Sequence, residues 1–409
     1  MTLISLEYGS SGHWQRDFPG ESLLHFHRGP DPHADPSVAV NEGIQQPLEF
    51  PSLELAMVPG DRVVVVLDRN IPSAAEIIRG VCWASAAAGV DPENLLILQP
   101  ASMTEPKLED PRRLLPAEVR EKVSWKIHDP TLTDGTGYLA SSAAGERLYL
   151  SRDVLDADFV LPISRFGYDA MLGRRELTSA FYPGLSTPDA FVKALGQGHQ
   201  ELGPDNERPL RQLVHEIAWL LGIQFAIQVL PSRSHAGMAK VLMGNTDRVA
   251  EQGRGLLDDN WRVSLDQRGE TALIAIPQSG AETSWGDLGA AVEAARNLIV
   301  QGGRIIVLSD LAAPQGPGID IIRGCRSAKS ALQPLRRMVP PDVLAASQIA
   351  NAADWASIYL LSRLDSSVVE GAFMTPLDHV QDATRLLESC DGCVVLSGAQ
   401  HVYGEIRET

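Results

Sequence analysis

The run Val63 to Leu67, inside Arg62-Val63-Val64-Val65-Val66-Leu67-Asp68-Arg69-Asn70-Ile71-Pro72, constrains this chain more than any other stretch. Five apolar residues with no polar alternate make a strand that can show neither face to water. Such a strand belongs inside a parallel sheet covered by helices. The polarity flips at Asp68, Arg69 and Asn70, and Ser73-Ala74-Ala75-Glu76 then has the spacing of a capping box that opens a helix. Strand, polar corner and helix form the unit of an open α/β sheet, which binds ligands at the carboxyl ends of its strands. Asp68, Arg69 and Asn70 therefore sit where chemistry is expected. The plainer reading is that they cap the helix and pair with one another.

The unit recurs. Ala74 to Ala88 reads as an alanine-rich helix stopped by Gly89. Leu95 to Leu98, Val123 to Ile127 and Asp158 to Ile163 read as further strands. Their ends deliver Gln99 to Ser102, then His128-Asp129-Pro130, then Ser164, Arg165, Tyr168 and Asp169. A carboxylate beside His128 could fix its tautomer, and Asp129 could equally open a turn before proline. Arg165 has the fork that grips a carboxylate at two points. Leu210 to Leu221 is predicted helical, with His215 as packing, and Phe225 to Leu230 a strand. A helix is predicted after Asn245-Thr246-Asp247, whose side chains suit its amino end.

Asp266-Gln267-Arg268-Gly269 is short and polar and marks the domain boundary, giving domains 1–268 and 269–409. Beyond it come a strand from Ala272 to Pro277 and a helix opened by Ser284-x-x-Asp287. A strand from Arg304 to Leu308 follows, ending in Ser309-Asp310, with further strands at Ile358–Leu361 and Val394–Leu396. A helix from Pro376 to Ser389 is predicted between the last two. The expected fold is α/β: two doubly wound domains with parallel-type sheets and a cleft between them. Residues 1–50, rich in glycine and proline, read as irregular, and His13, His25, His27 and His33 in them as surface or interface histidines.

With 52 acidic against 35 basic residues, a net charge of -17 and no basic cluster, nucleic acid is excluded as the main partner. No apolar run is long enough to span a membrane. The start lacks a signal-type pattern, so the expectation is a cytoplasmic protein. Cys82 reads as core. Cys390-Asp391-Gly392-Cys393 has zinc or redox spacing but lies between a helix end and a strand start, with only His379 and His401 nearby, so it reads as structural. The dinucleotide, phosphate-loop, nucleophile-elbow and zincin motifs are absent.

Several segments, in order, resemble the nickel-dependent lactate racemase family along nearly the whole chain. They are Tyr8-Gly9; Pro59-Gly60-Asp61-Arg62 with the strand to the Asp68–Pro72 corner; His128-Asp129-Pro130; Asp156 to Phe159; Pro183-Gly184; Gly302 to Leu308; and Asp354-Trp355. The resemblance implies two α/β domains around a cleft. It also implies a nickel pincer nucleotide tethered to a lysine, with a histidine completing the nickel. Hydride would leave the 2-carbon of a hydroxy acid and return to either face, histidines serving as acid and base, an arginine and a lysine holding the carboxylate.

The chain departs from that pattern at the chemical positions. Ser179 stands where the tethering lysine is expected, Ile71 at the corner arginine with Arg69 two residues away, and Glu293 at a lysine. No histidine falls near Ser102-Met103-Thr104 or in the Arg165–Tyr168 stretch. His199, with shifted spacing, replaces the nickel histidine in this reading. The candidate catalytic residues are thus Asp68, Arg69, His128, Arg165, Tyr168 and Asp169. Asn70, Ser179, Ser309 and Trp355 are the candidate cofactor contacts, and His199 the candidate metal ligand. The expectation is a divergent 2-hydroxyacid racemase or epimerase, an isomerase acting on a small carboxylate. The alternative is a catalytically degenerate protein that binds a small anion or nucleotide on the same fold. The missing tether favours the alternative, or an untethered cofactor.

Overall fold

A computed structural model gives the fold and describes residues 1–20, 22–102, 108–132, 134–196, 202–234, 237–278, 283–388, 390 and 392–407. Two six-stranded sheets carry it. The first runs, edge to edge, Met238–Asn245, Phe225–Pro231, Phe159–Arg165, Val63–Leu67, Leu95–Gln99, Ser124–Ile127. All its pairings are parallel except the antiparallel edge strand Met238–Asn245. The valine strand is central, and each of its five residues is buried, as a run without polar alternates requires. Val63, Val65 and Leu67 pack beneath the helices Pro36–Gln45 and Ala74–Ala87, while Val64 and Val66 face Phe181, Leu185 and the helix Pro209–Leu220.

The second sheet runs Thr375–Leu377, Ser357–Leu361, Ile299–Leu308, Gly269–Ala275, Cys393–Ser397, Leu23–His27, all parallel. Its faces alternate with period two. Ala272 and Ile274 meet the helix Trp285–Leu298, while Leu273 and Ala275 meet an amino-terminal hairpin.

That hairpin corrects the expectation that residues 1–50 are irregular. Thr2–Tyr8 pairs with Gly12–Phe18, and Ile4, Leu6, Trp14 and Phe18 bury themselves on the second sheet. Leu23–His27 then joins that sheet as its edge strand. The first 27 residues thus pair with and pack on the second sheet. The alternation in Ile4-Ser5-Leu6 and Trp14 to Phe18 is a strand signal that nearby glycines and prolines obscured. The boundary at 266–269 lies between the strands Arg262–Leu265 and Gly269–Ala275. The last strand, Tyr403–Ile406, returns to pair with Arg262–Leu265.

Two smaller expectations also change. The predicted helix from Pro376 to Ser389 is a strand, Thr375–Leu377, and a shorter helix, Val380–Leu386. Ser73 does not cap its helix: its φ of 54° is left-handed, and no side-chain cap bond forms. A capping serine needs extended backbone to aim its hydroxyl at the first free amides. Ser284, with φ -101°, does form the expected capping box with Asp287.

Candidate functional site

Each sheet is built outward from its first long central strand, and each therefore has one switch point where strand order reverses. In the first sheet the chain grows from Val63–Leu67 to one side through Leu95–Gln99 and to the other through Phe159–Arg165. The crevice opens between Val63–Leu67 and Phe159–Arg165, with Asp68 and Arg165 on its two banks. In the second sheet it opens between Gly269–Ala275 and Cys393–Ser397, followed by Gln278, Gln400 and His401. The two crevices face one another across a cleft of ≈ 220 Å³ lined by Asp68, Asn70, Arg165, Gln278, Gln400 and His401 among others.

Asp68 is buried, and its carboxylate is fully engaged. One oxygen accepts the Arg69 backbone N–H at 2.8 Å; the other accepts from the Arg175 guanidinium. The same guanidinium reaches Asp169 at 3.5 Å. Asp68 thus anchors the strand-end corner, whose Asn70 is exposed at the cleft rim with φ 54°. Arg69 donates to the Pro100 carbonyl at 3.4 Å.

Arg165 faces His401, a residue that sequence reasoning passed over as a site residue. His401 ends the short turn Ala399–His401 after the strand Cys393–Ser397, so its signal was an apolar run followed closely by a histidine. Burial first, then the charge of Arg165, holds its imidazole well below the usual histidine pKa. The ring is therefore neutral near pH 7, with one nitrogen able to accept a proton or hydrogen bond. Gln400 Nε2 lies 3.3 Å from His401 Nε2. The Trp261 indole lies between two histidines, its centroid 5.1 Å from His401 and 5.5 Å from His27.

The other expected site residues lie elsewhere. His128 follows the outermost strand of the first sheet, away from the switch point, and its Nε2 is engaged by the Ser186 carbonyl at 3.0 Å. Tyr168 donates its hydroxyl to Asp258 at 2.7 Å and packs on Tyr403, with ring centroids 5.1 Å apart. Burial, then the Asp258 carboxylate, pushes the Tyr168 pKa up. Arg174 joins Asp258 to Asp205, and Arg262 joins Asp258 to Glu405. Burial opposes ionisation of Asp258, yet hydrogen bonds from Arg174 and Tyr168 hold its pKa below the usual carboxylate value. This network fastens the returning strand to the first domain. Asp169 also accepts from the Met171 and Leu172 amides. Tyr168, Asp169 and Glu293 line a neighbouring opening of ≈ 530 Å³ that shares Gln400 with the cleft.

Ser179 accepts the Glu176 amide at 2.6 Å and does not line the cleft. Ser309 gives its hydroxyl to the Leu361 carbonyl at 3.0 Å. Trp355 donates to the Ile299 carbonyl at 3.1 Å, at the opposite end of that sheet from Ser309. One side chain at each end of a strand cannot share a ligand, so Ser309 and Trp355 do not form one site. His199 lies outside the described residues. Cys390 and Cys393 are buried in the cluster beneath the hairpin, and a hydrogen bond with Cys393 lowers the pKa of the Cys390 thiol.

A tethered pincer nucleotide needs a lysine at the cleft and a metal-binding side chain. Among the described residues lining the cleft, His401 could meet a metal, but none is a lysine that could carry the tether. The residues described do not fit that group. Among them, too, no helix is long and apolar enough to cross a membrane.

Residues 12–187 match the model of the lactate racemase N-terminal domain. The whole chain superposes on the lactate racemase apoprotein from Thermoanaerobacterium thermosaccharolyticum with a TM-score of 0.76 and 14% identity, covering 100% of both chains. A structural-genomics protein from Thermotoga maritima matches with a TM-score of 0.66 and 12% identity, covering 93% of this chain and 100% of its own. No curated protein matches.

Proposed function

Residues 12–187 match the lactate racemase N-terminal domain and the chain takes the lactate racemase fold along its length, and on that premise we propose that it is a divergent member of that family whose cleft binds a small hydroxy acid without a tethered pincer nucleotide. The observation that carries this reading is the facing pair of switch points, with Arg165 on one bank and neutral His401 on the other. Arg165 supplies the charge and fork for a carboxylate. His401 supplies an acceptor for the adjacent hydroxyl.

A second reading, racemisation or epimerisation at the 2-carbon, is favoured by one feature. A neutral histidine beside an arginine can take the proton of a 2-hydroxyl while the arginine holds the carboxylate. That reading needs a hydride acceptor, and the described cleft residues do not hold one in the family's manner.

Two measurements test the proposal. Arg165→Met is expected to weaken binding of lactate, followed by calorimetry, by about tenfold or more. Unchanged affinity would remove Arg165 from the site. Intact mass and metal analysis of protein made alongside the cofactor-producing enzymes should show no added nucleotide mass and no stoichiometric nickel. Finding both would restore the racemase reading.

A further inference from the structure

We propose that the cleft selects a carboxylate bearing several hydroxyl groups spread along a chain over one bearing a single hydroxyl. This rests on the reading of the cleft as a hydroxy-acid site. It is carried by three buried acceptor atoms on cleft-lining residues: Glu76 Oε2, Gln278 Oε1 and Gln400 Oε1 have no hydrogen-bond partner among the described residues. A buried polar atom left without a partner is costly, and such atoms are rare enough to call for a ligand or water.

Their chemistry and placement define what fits. All three are oxygens, so the missing partner must donate. The Gln400 amide nitrogen is the atom turned towards His401, 3.3 Å from its Nε2, which leaves the amide oxygen over. The three acceptors stand on separate segments. Glu76 is in the first turn of the helix Ala74–Ala87; Gln278 follows Gly269–Ala275; Gln400 follows Cys393–Ser397. A single ammonium group is a compact donor that needs its acceptors gathered around one point. Two of these three are also neutral amides, which offset little of an ammonium's desolvation. Hydroxyls strung along a carbon chain donate at separated points, each accepting in turn from water or a neighbour. With its carboxylate at Arg165, such a ligand satisfies both banks at once.

The test is calorimetric titration of the full chain with D-gluconate and with lactate, in the wild type and in Gln278→Leu and Gln400→Leu. Gluconate should bind about tenfold or more tighter than lactate, since each recovered buried hydrogen bond is worth a few-fold in affinity. Each leucine variant should lose more affinity for gluconate than for lactate, with its melting temperature as the control for folding. Equal binding of the two acids, or an equal loss for both in the variants, overturns the preference while leaving the hydroxy-acid site standing. No binding of either acid to folded wild-type protein overturns the site itself and the preference with it.

Discussion

Asp68→Ala is expected to lower the unfolding free energy by about 3–5 kcal/mol, the cost of leaving one partner of a buried ion pair alone. Asp68 is 4% exposed, and the guanidinium of Arg175 enters the same interior. Removing the carboxylate takes from that guanidinium the closer of its two acidic partners, Asp169 standing at 3.5 Å, and it frees the Arg69 amide at a corner whose next residue is already left-handed. Urea denaturation of Asp68→Ala, Arg175→Met and the double variant checks this. The double variant should be less destabilised than the sum of the singles, because removing both charges leaves neither uncompensated. Additive effects would mean the pair is not coupled. A destabilisation under about 1 kcal/mol, the range of a solvated surface pair, would return Asp68 to the list of residues kept for chemistry.

The second large effect is acid sensitivity around Trp261. Burial first, then the charge of neighbouring His25, lowers the His27 pKa to about 4; a backbone hydrogen bond involving Asn260 acts in the opposite sense. His401, on the other side of the indole, is lowered by burial and Arg165. Both therefore bind protons less readily folded than unfolded. The unfolded chain takes up more protons as pH falls below about 6.5, so stability is fully present above that value and is lost as pH falls toward 4. His27 alone accounts for about 3 kcal/mol over that window, at 1.36 kcal/mol per unit. Denaturant midpoints at pH 7.5, 6.5, 5.5 and 4.5 should fall progressively below pH 6.5. His27→Phe should flatten the slope. An unchanged slope in that variant would mean that His27 titrates normally. The aromatic stack joins three separate segments, the strand Leu23–His27, the helix Thr246–Trp261 and the turn Ala399–His401. Charging it at low pH is therefore expected to loosen the cleft's own wall.

The elements of the two sheets were legible where a local pattern decided them. The valine run, the alanine-rich helix with Gly89 after it and the Ser284–Asp287 capping box all appear where their residues placed them. The opening hairpin was not, because its apolar alternation is short and only pairs productively with a sheet whose sequence lies more than 250 residues away.

For the site, position at a strand end was readable and position at a switch point was not. Asp68, Arg165 and His128 look alike in the sequence, each a polar residue at the carboxyl end of a predicted strand. Strand order alone separates them: the first two border the crevice, and the third closes an edge strand and spends its imidazole on a carbonyl. The sequence by itself determined that this chain folds into parallel layered sheets, because a strand with no polar alternate has nowhere else to go. Only the tertiary structure decided which strand ends meet, since pairing between distant strands sets the reversal of order. That pairing brought Gln278, Gln400 and His401 to face Arg165.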